Sequence, residues 1–219
     1  MLALSRYLRD APTSGLGSTL PSPPSAILLQ SPWTDPSGTH VPSGPGPTSA
    51  SAIINLKTDI IDRSPRSAAT IGYVGLKGKH ITDEEARTNV LISPGSLDLP
   101  NNGDGLFERF PRTHVLVGGS EILADEIRLL AKRIANGRKG DAEAALTQVG
   151  PSHLQNANDH IRSDKVEGSE KFGWVTMYED PDMYHDWCCV DIWEAKRQAA
   201  FKSMISWIIA LPPGIRAMV

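Results

Sequence analysis

An α/β fold with a mostly parallel sheet is what this sequence predicts, on three observations. Three short apolar or β-branched runs, Ala26 to Leu29, Thr113 to Val117 and Trp174 to Tyr178, each run into turn residues. A continuous run of that length suits a strand buried on both faces of a parallel sheet. Helical spacing of apolar residues follows, over Ile122 to Ile134 and again from about Ile192 to Leu211. A chain of 219 residues, 40% hydrophobic and 21% charged, can bury one core and fits a single domain over 1–219 better than two.

The opening MLALSRYLRDAP mixes Leu2, Leu4 and Leu8 with Arg6 and Arg9 and reads as the tail of a helix stopped by Pro12. SAILLQ is the first strand, and SPWTD, Ser31 to Asp35, marks its end. Residues 36–52 are rich in Gly, Pro, Ser and Thr without hydrophobic periodicity, and are expected to form an exposed, flexible loop. Thr82 with Glu85 three residues on makes a capping box ahead of Ala86, Val90 and Leu91, so a helix is expected there. SPGSLDLPNNGDGL reads as loop.

Thr113 to Val117 then gives a strand, Gly118 and Gly119 a tight turn, and Ile122 to Ile134 a helix. Residues 136–172 are polar and read as a crossover carrying an insertion, with one weakly helical piece at Asp141 to Leu146. The third strand leads into the acidic turn EDPDMYHDW. The last helix places Trp193, Ala200, Met204, Trp207 and Ile208 on one side and stops at Pro212 and Pro213.

A formal charge of -3 and a pI near 6.1 supply no net basic field for a phosphate backbone. No window approaches the roughly 20 apolar residues that span a bilayer. Nucleic acid and membrane insertion are therefore not expected. Cys188 and Cys189 are adjacent, which gives neither a CxxC spacing nor an ordinary disulfide; both read as small core residues in a reducing compartment. Met1 to Arg9 lacks a charged segment followed by a hydrophobic run, so no secretory signal is read and a cytoplasmic location is expected.

In a parallel α/β sheet, sites lie at the carboxyl ends of the strands. Glu121 follows the strand ending at Val117 and His185 the strand ending at Tyr178, so both belong on one rim. A carboxylate fixes the tautomer of an imidazole, and the imidazole takes a proton from a nucleophile. The plainer alternatives are a solvated carboxylate favoured by the helix dipole and a surface histidine in an acidic turn. Asp180, Asp182, His185 and Asp186 lack a recognised metal-ligand spacing. Tyr184 and Trp187 read as rings packing at a strand end, and Lys132, Arg133, Arg138 and Lys139 as a solvated helix end.

Three segments carry a family resemblance. SAILLQSPWTD resembles the strand and SPW(V/T)D segment of hormone-sensitive-lipase-like esterases of the α/β-hydrolase fold. HVLVGGSEILADEIRLLAKRI resembles that family's acid segment, and VTMYEDPDMYHDW its histidine segment. They occur in the family's order, outside the regions Pro36 to Leu97 and Asn136 to Phe172. The resemblance implies the C-terminal part of an α/β-hydrolase domain, with Glu121 as catalytic acid, Asp125 as the alternative acid, and His185 as catalytic base. It implies a small-molecule ester as substrate, and neither cofactor nor metal.

The family's HGGG oxyanion loop and GxSxG nucleophile elbow have no counterpart here; Gly118-Gly119-Ser120 lacks the closing glycine. The family acid is most often aspartate, and here the acid-to-histidine separation is longer. Without a nucleophile, the expectation is a hydrolase lineage with little or no activity in this chain. The alternative is a non-catalytic binding remnant, self-associating through an exposed sheet edge.

Overall fold

Local chemistry fixes the strands first. Four segments pair side by side in the computed structural model: Ala26–Gln30 (β1), Arg112–Gly118 (β2), Leu146–Val149 (β3) and Val175–Asp180 (β4). The sheet has the order β1-β2-β4-β3 and every pairing is parallel. The structure describes residues 8, 24–40, 50–57, 59, 81–103, 105–137, 146–150, 172–189 and 194–216. Five helices lie among these: Ala50–Ile54 (α1), Asp83–Thr88 (α2), Ala124–Asn136 (α3), Glu194–Ala210 (α4) and Pro213–Arg216 (α5).

Strand alternation divides the core in two. Val115 and Val117 of β2, Ile27 and Leu29 of β1 and Val175 and Met177 of β4 pack with Ile127, Leu130, Ala131 and Ile134 of α3. Leu116 and Tyr178 point the other way and pack with Ala200 and Met204 of α4. β2 is buried on both faces because it has a strand on each side and a helix over each face. This is the layering that the alternation of strands and helices predicts.

The second face also buries a polar ring. His114 is fully buried, with its Nε2 3.5 Å from the Ser203 hydroxyl and its ring 5.4 Å from that of Trp207. Burial holds the imidazole well below its ordinary value, at about 3. His114 is therefore a neutral core residue.

Several expectations need correcting. β1 is not buried on both faces: Ile27 and Leu29 pack on the α3 side, but Leu28 is 44% exposed, because the cluster under α4 gathers Leu116 and Tyr178 of β2 and β4 and does not reach it. The loop expected over 36–52 ends in helix, since Ala50 to Ala52 belong to α1, with Ser51 and Ala52 buried. Thr82 caps α2 by accepting from the Glu85 amide, but the helix stops at Thr88, which leaves Val90 and Leu91 outside it.

Leu146 begins a strand rather than ending a helix, and β3 adds a fourth parallel strand. The rest of the helix expected at Asp141 to Leu146 lies outside the described residues, as do Trp193 and, apart from Leu8, the helical tail expected over Met1 to Pro12. Cys188 is buried, whereas Cys189 is exposed. Arg133 is not part of a solvated helix end, since it is 4% exposed and donates from Nη1 to the Pro94 carbonyl at 2.8 Å. Among the described residues, no helix is long and apolar enough to cross a membrane.

Candidate acid–base site at the sheet rim

β2 and β4 are neighbours, with Gly118 in register with Asp180, so the turns that follow them meet at the carboxyl end of the sheet. Two glycines allow close contact. A Cβ on Gly118 would stand 2.3 Å from the Met183 carbonyl oxygen, and one on Gly119 would stand 2.7 Å from Pro181 Cα. The turns are sewn together by Gly119 N donating to the Asp180 carbonyl (2.8 Å) and Ser120 N donating to the Met183 carbonyl (2.9 Å). The glycine pair, read from sequence as a turn, thus also serves backbone contact.

That contact brings Glu121 and His185 together. Glu121 is fully buried, and its Oε2 lies 3.2 Å from His185 Nδ1. The imidazole is mostly buried, 17% exposed, and its Nε2 lies 3.3 Å from Asp186 Oδ2. A carboxylate therefore faces each ring nitrogen. Asp186 takes a left-handed backbone (φ 52°), as does Ser31 at the end of β1 (φ 35°). The Asp186 amide donates to the Ser31 hydroxyl at 3.3 Å, and Gln30 Nε2 donates to Asp186 Oδ1 at 3.3 Å and to Cys189 Sγ at 2.9 Å. Left-handed geometry at a residue other than glycine costs on the order of 1 kcal/mol, and here it directs Asp186 toward His185 Nε2.

Burial pushes the Glu121 carboxyl up, opposed by the hydrogen bond and charge of His185 and by the Ser31 hydroxyl. Burial works against the His185 imidazolium, yet Glu121, by hydrogen bond and charge, together with Asp186 and Asp59, raises its pKa overall. The pair keeps its proton to a higher pH than an isolated imidazole. Carboxylates at both ring nitrogens favour the doubly protonated ring; once one proton leaves, a proton kept on Nδ1 is held by Glu121, and Nε2 beside Asp186 is the position that exchanges.

The alternative acid lies elsewhere. Asp125 accepts from the Ser51 amide at 2.9 Å and from Arg128 Nη1 at 2.6 Å, and its pKa is lowered because these donors outweigh the largest influence, burial. Arg128 also pairs with Glu179 on β4. Asp180 and Asp182 share Lys196 of α4 at 2.9 Å each, so the acidic turn divides between Lys196 and His185. Among the described residues, no group of three His, Cys, Asp or Glu side chains is placed to hold a metal. Trp187 is buried against Tyr178, with ring centroids 6.4 Å apart, and Tyr184 packs beside the same cluster.

Sequence reasoning missed several residues here. Glu126 is buried on the first turn of α3, where Oε1 accepts the amides of Thr34 (3.0 Å) and Asp35 (3.1 Å) and fixes the loop after β1. Asp59 lies within the 36–97 region that the resemblance leaves uncovered; its Oδ2 accepts from the Ile122 amide at 2.7 Å and its Oδ1 from the His185 amide at 3.1 Å. Neither contact follows a local spacing, so no sequence pattern announces them. Asp35 was more legible: an aspartate followed by Ser37 and Thr39 is a turn signature, and its Oδ2 accepts from the Thr39 amide and hydroxyl, each at 2.6 Å.

No protein-family model, curated protein or solved structure matches the chain.

Proposed function

We propose that the chain belongs to the lineage of Ser-His-acid carboxylic ester hydrolases, with His185 as base and Glu121 as the acid that orients it. One observation carries this reading: a fully buried carboxylate on Nδ1 of a partly exposed imidazole, at the carboxyl rim of a parallel sheet. The arrangement of β1, β2 and β4 as adjacent parallel strands supports it, because the three segments that resemble the hormone-sensitive-lipase-like esterases supply those strands in that order. Glu121, not Asp125, is the acid of this reading.

In such a site the base acts only with a nucleophile and with oxyanion donors, and these groups work as a unit. No serine of this sequence stands in a GxSxG. The chain as it stands therefore hydrolyses esters no faster than buffer. Turnover of a short acyl nitrophenyl ester well above buffer, lost in His185→Ala, contradicts that statement. Intact mass of the protein from its source, with the coding sequence upstream of Met1, tests the lineage: an in-frame GxSxG supports it, and a product starting at Met1 makes the pair a relic.

A second reading rests on a different observation. Leu28 and Trp33, on and just after β1, are 44% and 40% exposed, and among the described residues β1 pairs on one side only. An open strand edge with apolar neighbours favours association. Concentration-dependent sedimentation, weakened by Leu28→Glu, supports a binding role; a monomer at every concentration counts against it.

A further inference from the structure

From the contacts of one carboxylate we infer that Asp59 is a positioning residue of the acid–base site, setting the turn that carries Glu121 against the turn that carries His185. The inference rests on the hydrolase reading, since it concerns the same pair. Asp59 stands 63 residues before Ile122 and 126 before His185, yet each of its carboxylate oxygens accepts a backbone amide at the site. Oδ2 takes the amide of Ile122, the residue directly after Glu121, at 2.7 Å. Oδ1 takes the amide of His185 itself, at 3.1 Å. A carboxylate is planar and rigid, so holding one amide on each oxygen fixes the distance between the two backbones.

Other residues of this segment hold the acid turn and the start of α3, where Ser51 also exchanges hydrogen bonds with Asp125. Asn55 Nδ2 donates to the carbonyls of Gly119 (3.1 Å) and Glu121 (2.9 Å), and the Ser51 hydroxyl donates to the Ile122 carbonyl (3.2 Å). Asp59 extends that grip across to the base. Its charge also acts on both members of the pair, favouring the imidazolium of His185 and disfavouring the Glu121 carboxylate. Both effects keep a proton within the pair. Among the described residues, the other charged groups facing His185 are Glu121 and Asp186.

The test compares Asp59→Asn with Asn55→Ala, by NMR of the uniformly 15N-labelled full chain. Asparagine keeps the shape but turns an NH2 toward one of the two amides. Asp59→Asn is expected to lower the pH midpoint of His185 and to remove its downfield Nδ1–H resonance. Asn55→Ala loosens the same segment without touching His185, and is expected to leave both signals in place. Equal effects of the two variants, or no effect of Asp59→Asn, overturn the inference.

Should Asp59→Asn not fold, the unsubstituted protein decides. Scalar couplings across hydrogen bonds from the amide nitrogens of both Ile122 and His185 to the Asp59 carboxyl carbon support the inference, and absence of either overturns it. Glu121→Gln separates the two claims. If that change moves His185 while Asp59→Asn does not, the positioning role fails and the acid–base pair stands. If Glu121→Gln leaves His185 unmoved, the pair itself fails.

Discussion

His114 makes the stability of this protein sensitive to acid, and His114→Phe should remove that sensitivity. The imidazole is fully buried between β2 and α4, and burial holds it near 3, against 6.5 in an open chain. Between those values the unfolded chain binds a proton that the folded chain does not, so stability from this group is complete above pH 6.5 and falls as the pH drops toward 3. The slope is about 1.4 kcal/mol per pH unit, or about 3 kcal/mol between pH 7 and pH 4.

Phenylalanine keeps a ring beside Trp207 and removes the histidine partner of the Ser203 hydroxyl, a loss on the order of 1 kcal/mol that does not depend on pH. Urea unfolding of both proteins at pH 7, 5.5 and 4 isolates the term, because every other titrating group is shared. The variant should start less stable at pH 7 and overtake the unsubstituted protein by pH 4. A stability difference that stays constant over this range would refute the assignment of His114 as a neutral core residue.

Other outcomes follow from the same contacts. Asp186→Asn takes the carboxylate from His185 Nε2, so acylation of that nitrogen by diethyl pyrocarbonate should speed up several-fold at pH 6.5; an unchanged rate means Asp186 does not cover it. Gly118→Ala forces a methyl group to 2.3 Å from the Met183 carbonyl oxygen and should destabilise the protein by roughly 1–3 kcal/mol while moving the His185 resonances, since the two turns must part. Calorimetry that finds the alanine variant as stable as its parent contradicts the close contact. Arg128→Met breaks the pair with Asp125 inside α3 and the link from α3 to Glu179 on β4 and should cost roughly 1–3 kcal/mol, read as a lower denaturant midpoint with an unchanged slope.

Much of the architecture could be read from residue patterning because burial imposes periodicity. The β-branched run at Thr113 to Val117 became the doubly covered strand β2, and the spacing of Ile127, Leu130 and Ile134 became the face of α3. β3 escaped because Leu146–Val149 is a short, half-exposed strand that reads LTQV, too polar to stand out. Leu28 is exposed for a related reason: an apolar run looks the same whether or not a helix covers each face, and only the packed layers tell the two apart.

The site divides in the same manner. Glu121 and His185 could be named because each follows a strand end, and sheet topology does the rest. The groups that hold them in place could not. Asp59 and Glu126 bind backbone amides of distant turns, and a carboxylate that caps a remote loop leaves no mark on local spacing. Arg133 has the sequence context of a solvated helix end, and only its reach to the distant Pro94 carbonyl shows otherwise.

The proposed acid–base pair requires that Glu121 hold the proton of neutral His185 on Nδ1, with Nε2 as the proton acceptor. Long-range 1H–15N NMR of the imidazole, recorded above its pH midpoint with and without Glu121→Gln, tests this most directly. The Nδ1–H tautomer is expected in the unsubstituted protein and a lower pH midpoint in the variant. A neutral ring protonated on Nε2, with a midpoint that Glu121→Gln does not move, would contradict it.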